Sequence, residues 1–287
     1  MVNDSPRLQG LDGLRGVAIL LVLIYHLWTE LSGQHVLPPG SPWTFIYAGN
    51  TGVVLFFVLS GFLVSLPFIK ALEHNRLPSL RLYALHRALR ILPPYYFIGL
   101  IGIALTGQYQ QLLPTLVFIA DALDVGYYST VWWSLSTEVQ FYLLLPLLFM
   151  AAQHRLRPAL LLLIGALLIS VYLLVISKVI GPQLPEGIEL KFRLILSVFG
   201  QMPAFAAGIM FALIYHHTPS RNISPFPAYV AMAFLIGLLG WALLPQANNG
   251  SLRFMWNSPW YVLPEALLWG AIVWVMLNRA PPPFSVL

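Results

Sequence analysis

Residues 11–30, LDGLRGVAILLVLIYHLWTE, decide the fold class of this chain. From Val17 onward the stretch is almost entirely apolar, which predicts a membrane-spanning helix over residues 11–29. Arg15 and His26 are eleven residues apart, and at about 3.6 residues per turn this spacing returns to nearly the same helix face. An ionisable ring deep in an apolar span is costly unless it faces protein or a water-filled cavity. His26 is therefore the first candidate functional residue.

The composition of the whole chain indicates a membrane protein. Hydrophobic residues make up 59% of the 287 residues and charged residues only 9%, whereas a soluble domain carries roughly a quarter charged residues. The net charge of +5 comes from few residues in short loops, so we expect no nucleic-acid partner. The chain has no cysteine, which excludes disulfides and thiolate metal sites, and we predict no metal site of another kind.

The apolar stretches together predict an all-α, polytopic transmembrane helix bundle. We place eight spans at about 11–29, 51–69, 91–107, 131–152, 158–177, 192–215, 226–244 and 259–278. The third span is expected to carry Pro93 and Pro94 in its first turn. Residues 112–123 are apolar but too short to cross, which predicts a re-entrant or interfacial helix. With no internal repeat or soluble domain, residues 1–287 are interpreted as a single transmembrane domain.

Basic residues predict the orientation of this bundle. The most basic segment of the chain carries Lys70, Arg76, Arg81, Arg87 and Arg90, and cytoplasmic loops hold an excess of Lys and Arg. We therefore place this segment and both termini in the cytoplasm. The predicted location is the cytoplasmic membrane, which is the inner membrane if the source is a bacterium.

Several polar residues within or beside the spans are candidates for chemistry, and each has a plain structural alternative. His26 suits general-base work near neutral pH, or it is a hydrogen-bonded structural residue. Arg87 and Arg90 suit a phosphate-bearing anion, or they only report topology. Ser60, in FFVLSGFL, is typical of small-residue helix packing. Glu138 belongs to the site or is a solvated interfacial residue.

Four motifs, in order along the chain, resemble the acyltransferase-3 family of integral-membrane O-acyltransferases. They are DGLRG at 12–16 with an Arg-x10-His spacing that ends at His26, LFFVLSGFL at 55–63, RxxRIxPxY at 87–95 and WSLSTEVQFY at 133–142. A weaker PxFxxG match follows at 203–208. The resemblance favours the functional interpretation of His26, Arg87 and Arg90.

The resemblance implies transfer of an acyl group, most often acetyl, from cytoplasmic acyl-CoA to a hydroxyl of a glycan or lipid-linked sugar of the cell envelope. His26 would act as general base or acyl relay. Arg15 would steer CoA or hold the thioester, and Glu138 would orient the imidazole or the acceptor. Arg87, Arg90 and Ser60 would bind CoA. Acyl-CoA, most often acetyl-CoA in this family, is then a donor substrate and not a resident cofactor. The other partners that the resemblance implies are the glycan acceptor and membrane lipid.

A second class of function stays open from the sequence. In a proton-coupled transporter or exporter of a small metabolite, His26 and Glu138 would form a proton relay. The combination of Arg87 and Arg90 with Arg15 favours the enzyme, because a CoA site requires such cations. The family usually has about ten spans, so we expect this chain to be C-terminally incomplete and to lack the last two.

Overall fold

A computed structural model describes residues 6–31, 37–38, 40–118, 132–155, 196–218, 223–249 and 259–278. The helices in these ranges are α1 (Pro6–Leu31), α2 (Thr51–Leu72), α3 (Leu80–Thr106), α4 (Leu112–Leu116), α5 (Trp132–Arg155), α6 (Val198–His217), α7 (Pro225–Asn249) and α8 (Pro259–Asn278). Short 3-10 helices lie at Pro42–Ala48 and Tyr109–Gln111. The all-α prediction is confirmed for the described residues.

Five described helices are long and apolar enough to cross a membrane, which agrees with the membrane-protein prediction. They are α1 from Gly10, α2, α3, α6, and α7 as far as Asn248. The apolar part of α8, Val262–Asn278, is shorter, and α5 is not among the five. The span predicted at 158–177 lies outside the described residues. The count of eight spans and the cytoplasmic placement of both termini stay predictions.

Two predicted boundaries were wrong. The helix of the third predicted span begins at Leu80 and not at 91, because the Ser79 side chain caps it by accepting from the Leu82 N–H at 3.4 Å. Pro93 and Pro94 therefore lie inside α3 and not in its first turn. The helix predicted over 112–123 ends after five residues at Leu116, and Phe118 then adopts a positive φ of 59°. Residues 119–123 of that predicted helix lie outside the described residues.

The chain divides into two compact units, each of which is described by itself. The first consists of Met1–Leu66 and Pro203–Leu287, and the second of Pro67–Met202. In the first unit, α1 and α7 both contact the 3-10 helix Pro42–Ala48, and α7 packs along α8. In the second, α3 packs against α4 and α5.

Gly61 of α2 and Gly208 of α6 bring two helix backbones of the first unit into direct contact. A Cβ on Gly61 would overlap the Phe205 carbonyl oxygen, and a Cβ on Gly208 would overlap the Val58 carbonyl oxygen. Small residues allow this kind of close helix approach. The segment around Ser60 is thus part of a helix-packing contact.

Gly61→Ala is therefore expected to destabilise the first unit by about 1–3 kcal/mol, the usual cost of overpacking. A matched control is Gly237→Ala in α7, because no described atom lies within 4 Å of a Cβ built there. That control should be neutral or slightly stabilising, since Ala favours a helix over Gly by about 0.5–1 kcal/mol. Thermal unfolding in detergent micelles compares the two, and an unchanged Tm for Gly61→Ala would contradict the close contact.

Candidate active site

Arg15 and His26 lie on the packed side of α1, as their eleven-residue spacing predicts. Both are half-buried, and they flank a stripe in which Leu11, Ala18 and Val22 are buried. The other side of α1 exposes large apolar side chains, namely Ile19, Leu20, Leu23, Ile24 and Leu27. Helix α1 therefore directs its two candidate residues toward protein and leaves its apolar side to the lipid.

Arg15 is anchored near the start of α1 by a carboxylate on its own helix. Its Nη1 donates to Asp12 Oδ1 at 2.8 Å, and the Asp12 side chain is exposed. This bond uses one of the five N–H donors of the guanidinium group. Because its carboxylate is exposed, this ion pair contributes little to stability.

His26 lies near the opposite end of α1, next to an aromatic ring and one turn from a carboxylate. Its ring packs edge-on against Tyr25 with 5.0 Å between ring centroids, and its carbonyl oxygen accepts from Thr29 Oγ1 at 3.0 Å. Glu30 is close enough to interact electrostatically with the imidazole. A carboxylate in this position stabilises an imidazolium. The sequence analysis missed Glu30, although its i, i+4 spacing from His26 is readable.

Helix α3, in the second unit, separates the two arginines that the sequence analysis paired. Arg87 lies on the packed side of α3, in a row of five residues spaced four apart: Tyr83, Arg87, Ile91, Tyr95 and Gly99. Arg90 lies on the exposed side. The Arg87 Nε atom is buried, and no acceptor among the described residues bonds to it. The two guanidinium groups therefore have different environments.

Tyr142 of α5 connects Arg87 with Glu138. The Arg87 Cζ atom lies 5.5 Å from the centroid of the Tyr142 ring, within cation–π range. The Tyr142 hydroxyl donates to Glu138 Oε1. In the second unit, two predicted site residues, Arg87 and Glu138, thus both contact Tyr142. The sequence analysis quoted Tyr142 within the motif at 133–142 but did not single it out.

Other polar residues of α5 have structural roles. Thr137 Oγ1 donates to the Leu196 carbonyl oxygen, and Gln140 Oε1 accepts from the Val198 N–H at 3.1 Å. Val198 is the first residue of α6, and the N–H groups of a first helical turn have no partner within the helix. Thr137 and Gln140 therefore hold the beginning of α6.

The comparisons with known proteins agree with the motifs. A family model described as an acyltransferase domain matches residues 8–287. The chain belongs to the acyltransferase-3 family. Its relatives include O-acetyltransferase OatA from Staphylococcus aureus strain NCTC 8325 / PS 47, which is 30% identical over an alignment of 177 residues. The match covers 54% of this chain and 27% of the relative. OatA from strain COL matches with the same values. The matched region is thus about a quarter of the relatives' own length. No solved structure matches the chain.

Family membership, together with the five apolar helices, makes this acyltransferase-3 protein a membrane protein. The match includes all four motifs and therefore all six predicted site residues. Arg15, His26 and Ser60 belong to the first unit, and Arg87, Arg90 and Glu138 belong to the second. Within the described ranges, no group of three or more His, Cys, Asp or Glu residues is arranged to hold a metal ion.

This acyltransferase-3 protein also has a buried polar cluster in its first unit, outside the predicted site. Trp269 Nε1 donates to Thr51 Oγ1 at 2.8 Å, and both side chains are buried. Thr51 also lies beside the Glu265 carboxyl group, which is only 5% exposed. Gln246 Nε2 donates to Asn50 Oδ1. Buried polar groups require such partners, so this cluster ties α2, α7 and α8 together.

Thr51→Val is expected to destabilise the first unit by about 1–3 kcal/mol, because the buried Trp269 N–H loses its acceptor. Because valine matches threonine in shape, the loss of stability can be attributed to the missing hydroxyl group. Thr51→Ser keeps that hydroxyl and should retain most of the stability. Thermal unfolding of both variants in detergent tests this. Equal Tm values for the valine and serine variants would show that the hydroxyl does not matter.

Proposed function

We propose that this protein is a membrane O-acyltransferase that moves an acyl group, acetyl in the first instance, from acyl-CoA to a hydroxyl of a glycan or lipid-linked sugar of the cell envelope. The observation that carries this proposal is the acyltransferase family match over residues 8–287. The name O-acetyltransferase, which the OatA relatives carry, supports acetyl as the group and oxygen as its acceptor. The family match also favours the enzyme over the metabolite transporter.

In this proposal His26 is the general base. Its neutral imidazole takes the proton of the acceptor hydroxyl while that oxygen attacks the thioester carbonyl carbon. The new C–O bond forms, the C–S bond breaks, and the CoA thiolate recovers the proton from the imidazolium. The half-buried position of His26 on the packed side of α1 supports this role, and the exposed Glu30 carboxylate one turn away offsets only part of the transient positive charge.

The arginines bind the donor in this proposal. Arg87 has a buried Nε to which no described acceptor bonds, and guanidinium groups suit the phosphate oxygens of CoA. Arg90, which is exposed, contributes a second and weaker charge contact. Arg15, which pairs with Asp12 near the start of α1, contacts the CoA entering from the cytoplasm. Ser60, which precedes the helix contact at Gly61, is assigned a hydrogen bond to the donor in this proposal.

Glu138 acts on the acceptor side in this proposal. One of its carboxylate oxygens accepts from the Tyr142 hydroxyl, which fixes the direction of the carboxyl group. A carboxylate held in this way orients an acceptor hydroxyl through a charge-assisted hydrogen bond.

Mass spectrometry of surface glycans tests the proposed function in cells. Cells that express the chain should carry acetyl esters that are absent from cells without it, and mild alkali should remove them. Expression of the His26→Ala variant at the same membrane level should restore none of these esters. Identical glycans in all three cultures would argue against O-acetylation of a surface glycan.

A further inference from the structure

The backbone carbonyl of Tyr142 in α5 lacks its helical hydrogen bond because a proline lies one turn later. Pro146 has no N–H, so the Tyr142 carbonyl four residues earlier loses its helical hydrogen-bond partner. The Tyr83 hydroxyl of α3 donates to that carbonyl at 2.9 Å instead. Away from water, a carbonyl freed in this way needs a substitute donor. The bond fixes the Tyr142 backbone against the first turns of α3.

Tyr83 is itself firmly held, so this anchor is rigid. Its ring packs edge-on against the buried Phe68 ring, with 5.1 Å between centroids. Phe68 also contacts Phe149 of α5 at 5.1 Å. Phe68, near the end of α2, thus contacts aromatic rings of both α3 and α5.

The Tyr142 side chain then contacts two charged groups in different ways. Arg87 follows Tyr83 by one turn of α3 and lies over the ring, with Cζ 5.5 Å from the centroid. The hydroxyl at the tip of the same ring donates to Glu138 Oε1. The ring face thus positions the Arg87 guanidinium group, and the hydroxyl positions the Glu138 carboxylate. Removing one function of this side chain leaves the other in place.

We infer that Tyr142 is a positioning residue of the transferase: its ring holds Arg87 for the acyl donor, its hydroxyl holds Glu138 for the acceptor, and Tyr83 with Pro146 holds Tyr142. This inference rests on the proposed function. It assigns Tyr142 no contact with either substrate. Its effects on binding and on turnover are therefore indirect and separable.

Two variants separate the two effects in the purified full chain. Tyr142→Phe keeps the ring over Arg87 and loses the bond to Glu138, so the Kd for acetyl-CoA should stay within about twofold while turnover falls about tenfold. Tyr142→Leu loses both contacts, so its Kd should also weaken by about fivefold, as expected for a lost cation–π contact. Radiolabelled acetyl-CoA binding gives Kd without an acceptor, and CoA release in the presence of a cell-envelope glycan fraction gives turnover.

Tyr96→Phe is the matched control, because it removes a tyrosine hydroxyl of α3 that donates to the Leu116 carbonyl oxygen at 3.1 Å. It should change neither Kd nor turnover. The phenylalanine variant keeps the buried ring volume, so its expected split tests the inference even if the leucine variant fails to fold. Wild-type turnover in Tyr142→Phe would overturn the inference. An increase in its Kd for acetyl-CoA as large as its loss of turnover would do the same. Either result would leave the proposed function standing. A wild-type chain that binds no acetyl-CoA overturns the proposed function and this inference with it.

Discussion

His26→Ala abolishes acetyl transfer while leaving acetyl-CoA binding within about twofold of wild type: this is the expected result with the largest effect. A positioned general base contributes about 10²- to 10⁴-fold to a rate, and alanine removes the imidazole that we propose for this role. Donor binding is assigned to the arginines, so it should survive. CoA release and ester formation by the purified chain, beside radiolabelled acetyl-CoA binding, measure the two quantities.

The control for this variant is His217→Ala, which removes an exposed histidine at the end of α6. It should retain full transfer activity. Full activity of His26→Ala would end the assignment of His26 as base. Loss of both donor binding and thermal stability in that variant would instead give His26 a structural role.

Arg87→Ala should weaken acetyl-CoA binding by about 10- to 100-fold, the second large effect. A hydrogen bond to a charged group contributes about 1.5–3 kcal/mol, and the buried Nε of Arg87 is poorly screened by solvent. Arg90→Ala should have a smaller effect, because Arg90 is exposed, and that effect should shrink further at high salt. Titration with radiolabelled acetyl-CoA at low and high salt measures both variants.

Arg81→Ala is the matched control for these titrations, since Arg81 is an exposed cation on the same helix. Its Kd should equal that of wild type. If Arg87→Ala binds acetyl-CoA normally at low salt, Arg87 contributes only to membrane orientation and to the contact with Tyr142.

The sequence alone predicts the helical fold because apolar composition and span length need no tertiary information. The beginning of α3 was predicted wrongly for a physical reason. The density of Lys and Arg before residue 91 indicates cytoplasm, but Leu, Ala and Arg are also strong helix formers, and Ser79 caps the helix at Leu80. The chain therefore continues as helix through its basic segment, and Pro93 and Pro94 are accommodated inside it.

The candidate site was predictable only where one helix determines it. The spacing of Arg15 and His26 gives their common side of α1, whereas the division between Arg87 and Arg90 depends on which side of α3 packs. The four-residue spacing of Tyr83, Arg87 and Ile91 is visible in the sequence. Its role becomes clear only from the packing of α3 against α5. The bond from Tyr83 to the Tyr142 carbonyl joins residues far apart in the chain, and local patterns do not report it.

The most direct test of the central claim is acyl transfer by the purified full chain in liposomes, supplied with radiolabelled acetyl-CoA and a cell-envelope glycan fraction. The proposed function predicts alkali-labile labelled ester and stoichiometric CoA release by the wild type and by His217→Ala, and neither product by His26→Ala. A wild-type protein that binds acetyl-CoA but forms no more ester than His26→Ala would contradict it.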